Sequence, residues 1–208
     1  MCPLHSPLRS EDKQALLGIA RNAISLALMD GRQLEASAPG GELEACGGAF
    51  VTLHKRGRLR GCIGRLSADE SLANVVVQCA VSAATQDPRF PPLRAVELAE
   101  LEIEISVLSE IEEARPEQVE PGLHGLVVSR GGRRGLLLPQ VAREHRWLRE
   151  RFLEETCRKA GLDTNAWKDP ETRVEIFTAE MFSEHDFRAS GAEGAGAAEK
   201  RGGYSSSQ

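Results

Sequence analysis

Apolar residues recur every three to four positions early in the chain, between residues 10 and 29. The repeating set is Ala15, Leu16, Ile19, Ala20, Ala23, Ile24 and Ala27. This spacing places all of them on one face of an α-helix. Glu11 and Asp12 fall in the first turn, where carboxylates complement the helix dipole. The pattern therefore predicts a helix over residues 10–29, preceded by a flexible N-terminal segment at residues 1–9.

A different pattern follows, in which apolar and polar residues alternate over residues 50–54, as they do in a half-buried strand. Residues 55–58 contain Gly57, where a hairpin turn requires a positive φ angle. Residues 59–64 then read as the returning strand. The alternation and the turn together predict a β-hairpin.

The segment after this hairpin carries a helix signal and then a proline-rich loop. Ser67 and Glu70 have the spacing of a capping box, and the helical pattern continues to residue 85. Cys79 lies on its apolar face and is expected to be buried and unreactive. Three prolines stiffen the loop 87–92. That loop either fixes Asp87 and Arg89 at the edge of a cleft or only connects two elements, with Asp87 capping a turn.

The same succession of elements then occurs a second time. Glutamates alternate with apolar residues over 100–107, which predicts a strand with one solvated face. A second hairpin signal at 125–139, a helix signal at 147–160 and a strand signal at 173–178 repeat the order of the first half. Within the two hairpins, Arg60-Gly61 aligns with Arg134-Gly135.

This repeat predicts an α+β fold. Two similar β-hairpin–helix–strand units would share a mainly antiparallel sheet flanked by helices. Residues 10–187 would form one domain of two intertwined lobes. The remaining residues, 188–208, are rich in Ala, Gly, Ser and Glu and are expected to form a disordered tail, because they cannot bury enough apolar area.

Composition narrows the functional classes. The 208 residues carry a formal net charge of −5, which argues against a general nucleic-acid-binding surface. Local basic residues remain around the first hairpin: Lys55, Arg56, Arg58, Arg60 and Arg65. No apolar run reaches about 18 residues, and the N-terminus lacks the apolar core of a signal peptide. The five cysteines include no CxxC pair, so we expect neither disulfides nor a zinc site, and we expect a cytoplasmic protein.

Cys62 is the cysteine whose neighbouring residues are compatible with a reactive thiol. Gly61 and Gly64 lie on either side of it, so that backbone or a ligand can approach closely. Arg60 is two residues earlier, which in a regular strand places its cation on the same face. The thiolate is the reactive form of a cysteine, and nearby cations stabilise it. The alternative is that Cys62 is a small apolar strand residue buried under a helix.

A nucleophilic cysteine generally needs a base. His54 is in the partner strand of the hairpin, and His124 begins the second hairpin in a glycine-rich setting. Each could instead be an ordinary residue, His54 on a strand surface and His124 in a turn where it bonds to backbone. No local ligand spacing supports a metal site.

Several blocks of this sequence resemble the AMMECR1-domain family. The most specific is the hexapeptide Leu59-Arg60-Gly61-Cys62-Ile63-Gly64. Further blocks in the same order are 87–92, 104–109, 122–126 and 134–142, together with Phe152-Leu153, Cys157, Lys159-Ala160-Gly161-Leu162 and Trp167. The resemblance covers about residues 12–186.

The resemblance implies an α+β fold with duplicated β-rich units around an antiparallel sheet. Similar bacterial and archaeal proteins are called AmmeMemoRadiSam system protein A, and their genes accompany those of a Memo-like protein and a radical-SAM protein. The resemblance implies no particular reaction, because none is assigned to the family. The positions that match the family motifs are Arg60, Gly61, Cys62, Gly64, Asp87, Arg89, Phe90, His124, Pro139 and Gln140.

Three functions follow as hypotheses, with no cofactor expected in any of them. The first is a scaffold or substrate-handling subunit that acts with the Memo-like and radical-SAM partners. The second is an enzyme in which Cys62 is a nucleophile or substrate-binding thiol and His124 or Asp87 moves protons. In that enzyme the substrate-binding set would be Arg60, Gly61, Gly64, Arg89 and Gln140. The third is an RNA-linked role resting on the basic hairpin alone.

Overall fold

The computed structural model describes residues 7–29, 41–66 and 69–188, which form five helices and eight strands. The helices are α1 Ser10–Met29, α2 Leu72–Thr85, α3 Pro139–Glu144, α4 Arg149–Lys159 and α5 Glu184–Arg188. The strands are β1 Ala49–Lys55, β2 Arg58–Arg65, β3 Leu101–Leu108, β4 Glu112–Glu113, β5 Gly125–Arg130, β6 Arg133–Leu137, β7 Arg173–Phe177 and β8 Ala179–Ser183. No helix in these ranges is long and apolar enough to cross a membrane.

The predicted α+β class with antiparallel strands is confirmed, but the strands form two sheets rather than one. The first sheet has the order β2-β1-β3-β8 and the second β4-β7-β5-β6. The chain changes sheet twice, because β4 follows β3 yet pairs with β7, and β8 follows β7 yet pairs with β3. The two crossings meet where Ser109 N donates to Thr178 O and Thr178 N donates to Ser109 Oγ, both at 2.9 Å.

The predicted duplication is visible in the pairing of both sheets. In each, the first strand of the hairpin lies between its return strand and the strand that follows the helix. The aligned glycines have the same role. A Cβ atom added to Gly61 would lie 2.2 Å from the carbonyl oxygen of Ala83 in α2, and one added to Gly135 would lie 2.4 Å from the nitrogen of Ala160 at the end of α4. Each glycine therefore lets the helix of its own half lie directly on the hairpin.

Three apolar clusters hold these layers together. One packs α1 and α2 on the outer face of the first sheet, and another packs α4 on the outer face of the second. The third consists of Leu108, Val127 and Phe177, with Phe50 and Leu136 against it, and joins residues of both sheets. The inner faces of the two sheets therefore meet.

Local differences from the predicted elements have identifiable causes. The N-cap of α2 is Ser71, whose side chain accepts a hydrogen bond from Asn74 N at 3.3 Å, so the capping box at Ser67 is wrong. The short α3 begins where the second hairpin was expected to continue, because Pro139 ends the strand and is well suited to the first helical turn. The short elements β8 and α5 were not predicted. Leu8 is 5% exposed, so the packed region begins before residue 10. Residues 1–6 and 189–208 lie outside the described ranges, so that of the expected tail at 188–208 only Arg188 is described, as the last residue of α5.

Candidate functional site

Cys62 lies in β2, an edge strand of the first sheet, and the loop after α2 completes the hydrogen bonds of its main chain. Asp87 Oδ2 accepts a hydrogen bond from Cys62 N at 2.8 Å, and Arg89 Nη2 donates one to Cys62 O at 3.1 Å. These two side chains occupy the place of a neighbouring strand. Features of both alternatives for this loop are present: Asp87 and Arg89 form a pair with 2.7 Å between their nearest charged atoms, and Asp87 also caps its own turn through Arg89 N.

Both carboxylate oxygens of Asp87 are occupied. Oδ1 accepts from Arg89 N at 3.1 Å and from Nε at 3.0 Å, and Oδ2 accepts from Arg89 Nη2 as well as from Cys62 N. The Arg89 guanidinium holds the pKa of Asp87 well below its usual range, although burial acts in the opposite direction. A carboxylate this stable is a poor proton acceptor. Asp87 therefore positions the Cys62 backbone, and the predicted role in moving protons does not fit it.

The side chain of Cys62 belongs to a row of polar residues across the first sheet. Cys62 pairs with Thr52, which pairs with Glu104, which in turn pairs with Ser183. Thr52 Oγ1 donates a hydrogen bond to Cys62 Sγ at 3.3 Å. Phe50, two residues from Thr52 on the same face, packs in the cluster between the sheets. The thiol is therefore on the inner face, directed toward the second half, and is neither fully exposed nor fully buried.

Glu104 departs from the predicted solvated face. Burial raises its pKa, with an opposing contribution from His54 and further increases from Glu144 of α3, Asp186 and Glu102. The expectation is wrong at this position because β3 turns this face toward the second half of the molecule. No local pattern indicates that the second half packs against this face of β3.

A comparison of equivalent positions in the two halves shows that the polar row across the first sheet has no full counterpart in the second sheet. Leu53 pairs with Gly61 and Ile103, as Val128 pairs with Gly135 and Val174. By this correspondence the positions of Cys62, Thr52 and Glu104 are taken in the second sheet by Leu136, Val127 and Glu175. The first half therefore carries a thiol and a hydroxyl where the same scaffold otherwise carries two apolar side chains.

Lys159, a residue of the second half that sequence reasoning did not single out, has an electrostatic interaction with this site. It is the last residue of α4, and its charge interacts with those of Cys62 and Arg89. Burial lowers the pKa of Lys159, even though the residue as a whole is exposed. The only sequence signal was its place in the block Lys159-Ala160-Gly161-Leu162.

Arg60 does not have the place predicted for it. Its guanidinium contacts Glu97 at 3.2 Å and donates to the carbonyl oxygens of Pro91 at 2.9 Å and Pro92 at 3.5 Å. Together with Lys55 and Arg94 N, it lowers the pKa of Glu97 to about 2. The register of the hairpin shifts between Leu53 and His54, and the extra residue is Arg60. Arg60 therefore connects the hairpin to the loop 91–97. Its guanidinium nitrogens all donate to these partners, so Arg60 does not fit the predicted role of binding an anionic substrate.

The two glycines beside Cys62 are explained by packing. Gly61 lies against α2, as described above. A Cβ atom on Gly64 would lie 2.2 Å from the ring of Phe50, which covers that position on the inner face. Close approach is therefore required, as predicted, but protein atoms and not substrate make it.

The histidines and Gln140 do not complete a catalytic pair with Cys62. His124 Nδ1 accepts a hydrogen bond from Glu120 N at 3.1 Å, which closes its own turn and matches the alternative of a turn residue. His54 shares the inner face with Glu104 and is a diagonal neighbour of Cys62. Gln140 is half-buried in the first turn of α3. The hydrogen bond to Cys62 Sγ comes from Thr52 and from none of these three residues.

Cys79 and Cys157 have no comparable setting, because both lie in the apolar core. Cys79 is 1% exposed, and burial raises its pKa to about 11. Cys157 is fully buried, and burial raises its pKa as well. The prediction that Cys79 is buried is confirmed, and Cys157 is a core residue as well. Across residues 7–29, 41–66 and 69–188, no group of three or more His, Cys, Asp or Glu side chains is arranged to hold a metal ion.

Concave surfaces also occur on the second half. Two adjoining grooves of about 690 and 430 Å³ share Pro116, Glu117 and Trp167 in their walls. The second contains Thr172, whose Oγ1 is buried without a hydrogen-bond partner. No cysteine or histidine lines either groove. Neither groove therefore offers a nucleophile comparable to Cys62, which lies beside Asp87 and Arg89.

Comparisons with known proteins agree with this picture of the fold. A sequence profile of the AMMECR1 family matches residues 17–182. A protein from Methanothermobacter thermautotrophicus is 43% identical over 188 residues, covering 86% of this chain and 98% of its own. Protein MK0488 from Methanopyrus kandleri is 41% identical, covering 86% and 91%.

A solved structure is similar as well. The crystal structure of the uncharacterised protein PH0010 from Pyrococcus horikoshii superposes with a TM-score of 0.81 at 39% sequence identity. The match covers 85% of this chain and 93% of that one. The similarity therefore extends over both sheets and over the segment that carries Cys62.

Proposed function

The chain belongs to the AMMECR1 family, and from that membership and the site geometry we propose that it is a substrate-handling protein whose ligand contacts Cys62. The observation that carries the proposal is the fixed thiol. Asp87 and Arg89 hold both hydrogen-bonding groups of the Cys62 main chain, and Thr52 bonds to its sulfur. The main-chain contacts fix the position of the residue, and the hydrogen bond from Thr52 is specific to the sulfur.

The geometry favours ligand binding over a cysteine–histidine nucleophile. The hydrogen-bonding groups of Asp87 are used by Arg89 and Cys62, and His124 Nδ1 is used by Glu120. Neither is available as a base for the thiol in this arrangement. The enzyme hypothesis keeps Cys62 but loses its two predicted proton carriers.

The RNA-linked hypothesis loses the observation that motivated it. Four of the five basic residues around the first hairpin are paired with carboxylates: Lys55 and Arg60 with Glu97, Arg56 with Glu100, and Arg65 with Glu70. Paired cations contribute little to the attraction of phosphates. We therefore do not propose RNA binding.

The substrate-handling role would be carried out in the cytoplasm with a Memo-like protein and a radical-SAM protein. This part of the proposal is supported by the family resemblance. Free thiols at Cys46, Cys62, Cys79 and Cys157 are in keeping with a reducing compartment. A partner would have to reach the thiol from the side of the inner faces, where it is accessible.

The test is to express the tagged chain with the Memo-like and radical-SAM proteins of the same genome and to compare wild type with Cys62→Ser. We expect both forms to copurify with the partners and only the wild type to support their joint activity. Unchanged joint activity in Cys62→Ser would overturn the role of the thiol. Failure of both forms to copurify at low salt would overturn the partner assignment.

A further inference from the structure

We propose that the second half docks an amphipathic helix of a partner protein in the α4 groove, and that this helix presents a basic side chain to the turn 169–172. The α4 groove consists of the two adjoining grooves described above, which share Pro116, Glu117 and Trp167. α4 lies on the outer face of the second sheet, whereas Cys62 faces inward. The proposal therefore goes beyond the substrate-handling role and does not depend on it.

In the first half, the corresponding place is filled by α1. This helix packs against α2, against β3, and against two 3₁₀ turns, Gly41–Glu44 and Ala95–Glu100. The walls of the α4 groove come from the equivalents of these elements. They are α4, the start of β7, and the 3₁₀ turns Pro116–Gln118 and Ala166–Lys168. Among the described residues, no second helix lines this groove as α1 lines α2.

The equivalence extends to single residues. When the two sheets are matched as above, Leu101 at the start of β3 corresponds to Thr172, which precedes β7. Each residue closes the same kind of turn, because Leu101 N donates to Leu98 O and Thr172 N donates to Asp169 O. The turn 169–172 of the second half is therefore the counterpart of the turn 98–101 of the first.

The basic side chain of the partner is inferred from Arg21 of α1. Arg21 Nη2 donates to Leu101 O at 2.7 Å, and Nη1 donates to Leu98 O at 3.2 Å, so α1 is held to its turn by a guanidinium. At the matching position in the second half, Thr172 is 8% exposed, and its Oγ1 has no hydrogen-bond partner among the described residues. A basic side chain in the place of Arg21 would supply the missing donor.

Other parts of the groove suit the apolar face and the flanks of a helix. Leu148 is 81% exposed on its wall. Trp167 Nε1 is buried and, like Thr172 Oγ1, lacks a partner within the described ranges. The carboxylates of Glu117 and Glu150 form no ion pair with any described residue, so basic residues beside an apolar stripe would complement them.

The helix has to come from another protein. Outside the described ranges, the segments long enough for about two helical turns are 30–40 and 189–208. The first contains Leu34 as its only large apolar residue, and the second contains no Leu, Ile, Val, Met, Phe or Trp. Neither can supply the apolar stripe of a docked helix. In a second copy of the chain, α1 is already packed in the core of its own first half.

The test selects binders from a yeast-displayed library of helices, with the full-length chain as bait. The library carries varied apolar residues at the spacing of the buried face of α1 and a randomised residue at the position of Arg21. That face includes Leu16, Leu17, Ala20 and Ile24. We expect enriched helices to carry Arg or Lys at the randomised position. Equal enrichment from a parallel library with Ser at every apolar position would overturn the proposal.

Leu148→Ser locates the binding. The affinity of the selected helix should fall about tenfold, as expected for the loss of one buried leucine side chain. Leu148 is the N-cap of α4, where serine is favoured, so the variant should fold. Leu123→Ser is the matched control, because Leu123 is a 51% exposed leucine of the same half outside the groove, and it should bind as the wild type does. Unchanged affinity in Leu148→Ser would overturn the location.

Thr172→Val tests the basic side chain. Valine has a similar shape, and the hydroxyl that it removes has no described partner to lose, so the fold should be retained. The variant should bind an arginine-bearing helix about three- to tenfold more weakly than the wild type does. It should bind the same helix with Gln at that position as the wild type does. Equal effects on the two helices would overturn the contact between the basic residue and the turn 169–172.

Sedimentation of the chain without any peptide distinguishes a second copy from a partner protein. We expect wild type and Leu148→Ser to have the same association state. Self-association of the wild type that Leu148→Ser abolishes would assign the groove to a second copy and overturn the partner helix. None of these measurements involves Cys62, so their failure would leave the proposed function unaffected.

Discussion

Asp87 Oδ2 accepts a hydrogen bond from the backbone nitrogen of Cys62 at 2.8 Å across 25 residues of sequence. The carboxylate is held in turn by Arg89, which also bonds to Cys62 O. A three-residue turn thus fixes one peptide of an edge strand from outside the sheet. The position of the thiol depends on this ion pair more than on any neighbour within the sheet except Thr52.

The ion pair between Asp87 and Arg89 should make the free energy of unfolding depend on pH in the acidic range. The depressed pKa of Asp87 means that the unfolded chain binds its proton more readily than the folded chain does. Its contribution is therefore complete above the unfolded-state pKa of about 4 and is lost as the pH falls below it. Asp87→Asn should lower the free energy of unfolding at pH 7 by about 2 kcal/mol.

Urea unfolding of wild type and Asp87→Asn at pH 7 and at pH 3 measures this. The gap between the two proteins should narrow at the lower pH. Glu112→Gln, on the exposed strand β4, serves as the control for loss of one carboxylate. An equal gap at both pH values would show that Asp87 is not the group responsible.

Gly61 should not tolerate a methyl group. Gly61→Ala would place Cβ 2.2 Å from a backbone oxygen that cannot move independently of α2. We expect a loss of about 1–3 kcal/mol in the free energy of unfolding, and a similar loss for Gly135→Ala. Gly18→Ala is the matched control, because nothing lies within 4 Å of its Cβ position and alanine is the better helix former. Stabilisation in all three variants would refute the shared packing of the two halves.

Glu104 should make the protein less stable as the pH rises. Its pKa is raised by burial, so the folded state holds the proton more tightly than the unfolded state, and stability falls as the pH rises above the unfolded value of about 4.3. Glu104→Gln should remove this decline and stabilise the protein at pH 7. Thermal unfolding between pH 4 and pH 8 would show it. Lower stability of the variant at pH 7 would mean that the carboxylate is satisfied by neighbours.

Arg60 should prove structural. Arg60→Gln breaks its ion pair with Glu97 and its bonds to the proline-rich loop, and we expect a loss of about 1–3 kcal/mol by chemical denaturation. The rate at which iodoacetamide alkylates Cys62 in the native protein should stay close to its wild-type value. A large change in that rate would show that Arg60 acts on the thiol as well as on the fold.

Local sequence patterns were sufficient to predict most of the helices and strands. The helical spacing predicted α1 over Ser10–Met29, and the hairpin turn has positive φ angles at Arg56 and Gly57. The repeat of Arg-Gly in the two hairpins correctly indicated two similar units. Such features depend on residues within one or two turns of each other, which is why sequence reveals them.

The candidate site is formed by residues that are far apart in the sequence, and local patterns do not predict how these residues come together. The register shift next to Leu53 places Thr52 opposite Cys62; an unbroken count from the turn would place Val51 there. No sequence pattern marks that bulge, and it is why Arg60 was assigned to the wrong partner. The inner face of the first sheet is covered only because the two sheets pack together, and the crossing at Ser109 and Thr178 that joins them has no local signature.

The most direct test of a fixed, accessible thiol is the native-state alkylation of each cysteine by iodoacetamide, followed by mass spectrometry. Cys62 should be modified in the folded protein, whereas Cys79 and Cys157, which are 1% and 0% exposed, should react only after unfolding. Protection of Cys62 to the same degree as Cys79 and Cys157 would contradict the account and make the hexapeptide a packing motif.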